Sequence, residues 1–426
     1  HSFIHLKNST VSSMMNDDYP QPLGNGTTAD EEAHDPGPFP VPEYSRCTRA
    51  VAIVEEENTQ TVRTRPRLDD SSDSDSDSND GMESDSGSDM DDEEDGDTNY
   101  LIIIEGGEEA LWLRWVLRKA LDGRNKVWFA LVVRRRQQKT ASDMVIWDVT
   151  GERCAVKEMP WYLIRTIRLT EDPVKEVAAM QYLSRICHNE NNTAMQDSLA
   201  TNVVMLRNAL TDDIFLYVVT PFFDGGDICT SLEDENTRFN EDEARYYIDS
   251  ILNGIETLQR AGICHRDLSI ENIMIHEGRC VIIDLGMSLR IPYAEQQQQH
   301  RFLIRPQGRC GKWRSISPEI RANAEAFDGH AVDMWAVGTI LFTVVVGFVA
   351  LEDPKKERRF VEMASHLMRN GRINRVTHFL NAHRNIHFSP ELVTLLQDMF
   401  WLDPRRRLSL GQVRAHPWMN GPRQMP

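Results

Sequence analysis

Cysteine is scarce in this sequence, with seven residues among 426, odd in number and scattered. That excludes a disulfide framework and points to a reducing compartment inside the cell, cytoplasmic or nuclear. No group of cysteines and histidines stands at the spacing of a zinc site. The first residues carry no basic stretch followed by an apolar core, so no secretory signal is legible. A chain that opens on His1 rather than Met reads as a piece of a longer one. Positive charge is missing from one whole stretch: Asp69 to Asp97 holds fifteen Asp or Glu and no Lys or Arg. Without those fifteen, the net charge of −19 shrinks to about −4. The remainder is nearly balanced, so nucleic acid is not expected as a direct partner.

Residues 1 to 99 also lack lasting apolar periodicity. Pro, Gly, Ser and Asp dominate, and Ser71 to Ser78 is nearly pure Ser-Asp alternation. Such a segment buries too little apolar surface to offset chain entropy, so it reads as a disordered acidic tail. Three readings of it stay open. It is a solvated tail, a set of phosphorylation sites flanked by acids, or a mask for a basic surface on this chain or a partner.

Order is expected from Tyr100. Leu101 to Ile104 and Val127 to Val133 read as strands, followed by a basic hairpin tip from Arg134 to Lys139. Met144 to Val149 and Cys154 to Glu158 read as two more strands around a Thr150-Gly151 turn, with Lys157 set in the second. Asp172-Pro173 opens a helix whose apolar stripe is Val177, Met180 and Leu183, with Glu176 beside it. Asn202 to Leu206 and Ile214 to Thr220 read as strands, and a helix is expected from about Asn240 to Ala261.

The most informative stretch follows. His265-Arg266-Asp267 breaks out of an apolar context, and Asn272 comes just before a predicted hairpin, Ile273 to Ile275 and Cys280 to Ile283. The hairpin ends on Asp284 and Gly286. Buried carboxylates without a nearby cation are costly. Asp284 and Asn272 offer oxygens of the kind magnesium prefers, which leaves Asp267 to orient a hydroxyl and take its proton.

In these residues the chain resembles the protein kinases. His265-Arg266-Asp267-Leu268-x-x-x-Asn272, then Asp284-Leu285-Gly286, stand in the family's order. The likeness covers roughly residues 115 to 420 and implies an α+β fold of two lobes. A small β-rich N-lobe with one helix would span 100–222, a larger helical C-lobe 223–421, and a short tail 422–426. It implies a magnesium- and ATP-dependent transfer of the γ-phosphate to serine or threonine hydroxyls of protein substrates. Ala155-Val156-Lys157 matches the strand whose lysine holds the α- and β-phosphates, and Glu176 would be its partner, with Glu171 as the fallback. Gly123, Val127 and Ala155 would border the nucleotide. Thr220 would stand behind the adenine, the backbone from Pro221 through Phe222 to Phe223 would meet its edge, and Asp227 would bind ribose. Asn272 and Asp284 would hold the metal, and Met180, Leu206, His265 and Leu285 would stack as an internal spine.

The same likeness assigns structural roles further on. Ser317-Pro318-Glu319 resembles the end of an activation segment, and Arg407 in Asp403-Pro404-Arg405-Arg406-Arg407 would pair with Glu319. Met334 to Leu351 contains no charged residue and has the length of a membrane span, but the resemblance reads it as a buried central helix that carries Asp333, with no span. An amphipathic helix is expected over Pro390 to Trp401, and His416 to Met419 resembles the ending of calcium/calmodulin-dependent kinase-like domains.

The departures from the pattern are specific. The glycine-rich loop keeps only Gly123, where Arg124 or Lys126 would have to meet phosphate as charges. Ser269 replaces the lysine that serine/threonine kinases turn toward the γ-phosphate, and Lys312 replaces a threonine in the Gly311 to Ser315 segment. Between Gly286 and Gly311 the only hydroxyls are Ser288 and Tyr293, so no activating phosphorylation is expected there. These losses motivate an alternative, a pseudokinase scaffold that binds partners without efficient transfer. Glu271, Asp227 and the acids from Glu233 to Glu243 hint at basic residues near the target site.

Overall fold

The computed structural model describes residues 33–54, 60–65, 99–119, 126–137, 144–166, 172–189, 198–232, 238–291, 303–312, 315–347 and 373–425. Its first layer is strand-rich. Strands β1 (Ala33–His34), β2 (Ser45–Val51), β3 (Thr61–Thr64), β4 (Tyr100–Ile104), β5 (Glu109–Lys119), β6 (Lys126–Arg135) and β7 (Val145–Pro160) come first. Helices α1 (Trp161–Thr166), α2 (Pro173–Asn189) and α3 (Ser198–Thr201) follow, then β8 (Asn208–Thr211) and β9 (Phe215–Pro221). One sheet runs β3-β7-β6-β5-β4-β2-β8-β9, and β9 also pairs with β7. Seven strands therefore close on themselves, so none of those seven is an edge strand over its whole length. β3 extends the first half of β7. Along β5, Leu111 and Leu113 join one apolar cluster with Val156 and Tyr217, while Trp112 between them joins another with Val62 and Trp147. That is the two-residue period of a strand.

The second layer is mostly helical. It contains α4 (Ile228–Ser231), α5 (Glu241–Arg260), β10 (Ile263–Cys264), β11 (Ile273–His276), β12 (Arg279–Ile282), β13 (Leu289–Arg290) and β14 (Leu303–Ile304). After these come α6 (Pro318–Arg321), α7 (Gly329–Val346), α8 (Ile373–Arg384), α9 (Pro390–Met399) and α10 (Leu410–Ala415). Asn240 and Glu243 form a reciprocal capping box that starts α5. Glu277 and Gly278 turn the β11–β12 hairpin, both with positive φ (46° and 75°), as a two-residue primed turn requires. Asp328 caps α7, which ends where Gly347 takes φ 76°. α7 has the length and apolar character of a membrane span, yet 89% of it is buried inside the protein. Its apolar surface packs into a core shared with α2, α5 and α9.

Several expectations need correction. The segment read as a disordered tail, 1–99, contains β1, β2 and β3. β2 sits between β4 and β8, and Val62 of β3 is fully buried. Composition misled here because these strands are short and polar, and gain their ladders from strands that lie far along the chain. The acidic run Asp69 to Asp97 falls outside the described residues, but it is an insertion between β3 and β4 rather than a terminal tail. The two strands expected over 144–158 are one strand with an irregularity at Gly151, φ 85°. The strand expected at Asn202 to Leu206 stands instead at Asn208–Thr211, because Asn202 at φ 53° turns the chain onto β12. β5 was not foreseen. The uncharged helix starts before Met334 and stops at Val346, and residues 348–351 lie outside the described set.

Candidate active site

Strand register gathers the first group of side chains. Val127 of β6 pairs with Lys157 of β7, and Ala155 pairs with Thr220 of β9. Cross-strand partners share a face, as do residues two apart. Val127, Ala155, Lys157 and Thr220 therefore line one side of the sheet, all half-buried. Phe222 closes one end of that side, edge-on to Phe129 at 4.8 Å. The Phe222 N–H is donated to the Arg153 carbonyl at 3.2 Å, and Phe223 after it is 7% exposed.

Lys157 is answered from the helix. Its Nζ lies 2.8 Å from Oε2 of Glu176. Asp172 accepts the Val174 and Lys175 N–H groups, which fixes the start of α2. The stripe of Val177, Met180 and Leu183 is wholly buried, and it orients Glu176 toward the strand. Glu171, the fallback, lies outside the described residues.

The loop after β10 is held from below. Buried Asp333 accepts the His265 N–H at 2.8 Å and the Arg266 N–H at 2.9 Å. These two bonds fix Arg266 at φ 71°, a left-handed conformation that a non-glycine residue takes only when its surroundings enforce it. His265 accepts the Asp267 N–H on Nδ1, so its Nε2–H faces the Ile283 carbonyl at 3.0 Å. Burial lowers the pKa of His265 and so favours this neutral form.

Asp267 is 4% exposed, and each of its oxygens accepts one hydrogen bond. Oδ1 accepts the Lys312 N–H at 3.1 Å, and Oδ2 accepts Nδ2 of Asn272 at 3.1 Å. Burial pushes its pKa up to about 6, against the opposing pull of the Lys312 charge and with a further push from Asp284. Asp284 is thus within electrostatic reach of Asp267. It has φ 67° and accepts the Gly286 N–H at 3.1 Å. With Nδ2 of Asn272 spent on Asp267, Oδ1 is the atom that the amide presents to a cation, and it lies 3.4 Å from Nζ of Lys312. An amide oxygen and a carboxylate beside a buried second carboxylate fit a hard divalent ion such as magnesium.

Arg407 and Glu319 form a bidentate pair at 2.7 and 3.0 Å, and Arg407 also donates to the Ala331 and Trp401 carbonyls. Met180 and Leu285 share the main core, with Leu206 packed against it. Asp227 caps α4 through Thr230 N–H at 2.7 Å and Thr230 Oγ1 at 3.0 Å, so Oδ1 is already in use. Gly123 lies outside the described residues. Of the acids read as a hint of a basic target, Glu233 to Glu235 lie outside the described residues, and three of the others have partners within the chain. Glu271 meets Lys312, Glu241 meets Ser389 and Trp418, and Asp242 meets Arg245.

One contributor escaped the sequence reading. Residues 38 to 44 run along the outer face of α2. Phe39 is buried edge-on to Tyr182, Glu43 and Gln181 exchange two hydrogen bonds, and Arg185 reaches the Glu43 carboxylate at 3.0 Å. Arg290, just past the Asp284 turn, donates to the Pro38 carbonyl at 3.3 Å. Phe39 and Tyr44, two aromatics in an otherwise polar stretch, were the available signal.

Comparison with known proteins adds independent observations. Residues 164–419 match the protein kinase domain. The chain is similar to serine/threonine-protein kinase SAPK5 of Oryza sativa subsp. japonica, 28% identical over 261 residues, covering 59% of this chain and 65% of the relative. It is 29% identical over 232 residues to SAPK4 of the same plant, covering 53% of this chain and 58% of the relative. With serine/threonine-protein kinase SRK2I of Arabidopsis thaliana it shares 28% identity over 285 residues, covering 65% of this chain and 74% of the relative. The chain thus spans a little under two-thirds of the length of the first of these relatives.

Proposed function

Because this chain belongs to the protein kinase family, we propose that it transfers the γ-phosphoryl group of ATP to serine or threonine hydroxyls of protein substrates. The observations that carry this reading are two built groups, the Lys157–Glu176 pair at 2.8 Å and Asp267 bonded to Asn272 with Asp284 in electrostatic reach. These five side chains come from a strand, a helix and the loops around the β11–β12 hairpin. Phosphoryl transfer asks mainly for positioning and charge neutralisation, and this set supplies both.

In this reading Lys157, steadied by Glu176, grips the α- and β-phosphates. Val127, Ala155 and Thr220 flank the base, with the Pro221 carbonyl and the Phe223 backbone at its edge. Asp267 orients the substrate hydroxyl and accepts its proton as the oxygen attacks. Asn272 and Asp284 would hold magnesium, which supplies positive charge against the phosphate oxygens when bound. Arg407 and Glu319 hold the platform that would receive the polypeptide substrate.

The test is transfer of radiolabel from the γ-phosphate of ATP to a basic test protein, with Asp284→Ala as control. Label that disappears in the control supports the enzyme. Absence of label in the unsubstituted chain, together with no thermal shift on adding nucleotide, would leave a binding scaffold in its place.

A further inference from the structure

Ser269 and Lys312 form a pair that the assigned roles above do not use. Nζ of Lys312 lies 2.7 Å from Oγ of Ser269, 3.4 Å from Oδ1 of Asn272 and 3.4 Å from Oε2 of Glu271. The backbone N–H of the same residue holds Oδ1 of Asp267 at 3.1 Å. One residue thus touches the proposed base through its main chain and the Asn272 amide through its side chain. Its position is built rather than incidental. The Lys312 carbonyl accepts the Ser315 and Ile316 N–H groups, each at 2.9 Å. Gly311 before it has φ 89°, and a Cβ there would stand 2.9 Å from the Arg266 carbonyl oxygen. The segment therefore approaches the loop as closely as a glycine allows. About a third of the Lys312 side chain is exposed, so it is not sealed in the core.

We propose that Lys312 is the cation of the transferring phosphoryl group, supplied from the activation segment while Ser269 serves as its hydroxyl rest. This rests on the kinase reading above and deepens it. In the transfer, the bond between the γ-phosphorus and the oxygen bridging to the β-phosphate breaks, and its electron pair leaves with ADP. A bond from the substrate hydroxyl oxygen to the γ-phosphorus forms, and the hydroxyl proton passes to Asp267. Negative charge spreads over the three oxygens in flight. An ammonium pinned beside Asp267 and Asn272 meets that charge without reorganising. Glu271 shares the ammonium in the resting state and keeps it from swinging into solvent.

The test uses the full chain and steady-state kinetics with ATP varied. Lys312→Met is expected to lower kcat by a factor on the order of 10² to 10³, by analogy with removing one preorganised charge-stabilising donor. KM for ATP should move less than about threefold, because a group that acts mainly in the transition state leaves ground-state binding alone. Lys312→Arg should retain part of the rate. The decisive arm moves the charge back: Ser269→Lys combined with Lys312→Thr should exceed Lys312→Thr alone by at least about tenfold. A gain of rate cannot come from misfolding, so this arm guards against an unstable Lys312→Met protein. An unchanged kcat in Lys312→Met, or a double variant no faster than Lys312→Thr, overturns the proposal while leaving the kinase reading intact. Failure of the unsubstituted chain to transfer label overturns the kinase reading itself, and the proposal with it.

Discussion

Glu43 and Gln181 exchange two hydrogen bonds, the Glu43 N–H to Oε1 of Gln181 at 2.9 Å and Nε2 of Gln181 to the Glu43 carbonyl at 2.7 Å. A residue far upstream is thereby fastened to the helix that carries Glu176. Phe39 seals the same contact against Tyr182, with ring centroids 5.7 Å apart. The helix that positions the Lys157 partner is therefore clamped from outside as well as packed from inside.

That clamp can be measured. Phe39→Ala should destabilise the fold by about 3 kcal/mol, the low end for emptying a buried aromatic site. It should also speed amide exchange along Pro173–Asn189 ahead of the rest of the chain, and reduce transfer in step. Exchange spread evenly over the molecule would mean that the contact is passive.

Lys157→Met should lower the rate of transfer by a factor on the order of 10² or more, since it removes the charged donor proposed to grip the phosphates. It also leaves the Glu176 carboxylate buried without the partner seen at 2.8 Å. Glu176→Gln should show a smaller loss, because an amide oxygen still accepts from the Lys157 ammonium. Kinetics of the two variants side by side check the order.

The role proposed for Asp267 sets a pH profile for kcat. Burial lifts its pKa to about 6, and only the ionised form can take the substrate proton. The rate should be flat above about pH 7 and fall about tenfold per unit once pH drops below about 6. A profile that stays level down to pH 5 would remove Asp267 from that role.

Asp333 carries the matching stability prediction. Its carboxyl is also raised, to about 6, by burial. A group with a raised folded value binds its proton more tightly in the folded state. Its contribution to stability is present at low pH and is lost as pH climbs through about 6. Asp333→Asn removes that titration and offers one acceptor oxygen where the His265 and Arg266 N–H groups need two. The variant should lose about 2 kcal/mol, the order expected for one buried donor left unsatisfied. Its Tm should also vary less between pH 5 and pH 7 than that of the unsubstituted chain.

Phosphatase treatment should leave the rate unchanged. Ser288 is fully buried and donates its hydroxyl to the Leu285 carbonyl at 2.7 Å. Arg266, which would otherwise receive a phosphate, already meets the Met287 carbonyl and the Cys310 sulfur. Tyr293 lies outside the described residues. Activity lost on treatment, and mapped to a site between Gly286 and Gly311, would contradict this.

What the sequence made legible was whatever depends on local order. His265 to Asn272, the hairpin and Asp284 are close neighbours in the chain, and their geometry follows from turn chemistry and apolar pattern. Lys157 and Glu176 were legible because each stands at a definable place on its own strand or helix, Glu176 beside a buried stripe. The closed sheet was not. β2 finds its ladder between β4 and β8, and no local pattern in Ser45–Val51 specifies partners so distant. The reach of Lys312 toward Ser269 was visible only as one lysine lost and one gained, and the distance needed the fold. Asp227 illustrates the converse, a residue whose local task as a helix cap is invisible to motif matching.

Thr61–Thr64 is laddered to Val145–Asp148, and Tyr100–Ile104 is laddered to strands on both its sides. A protease nick anywhere from 66 to 98 would break one covalent link and none of these ladders. The two fragments should co-elute as a single species on a sizing column and part only in denaturant. The smaller would still carry Phe39 and Glu43, so a cleaved chain should keep its grip on the helix and its rate of transfer.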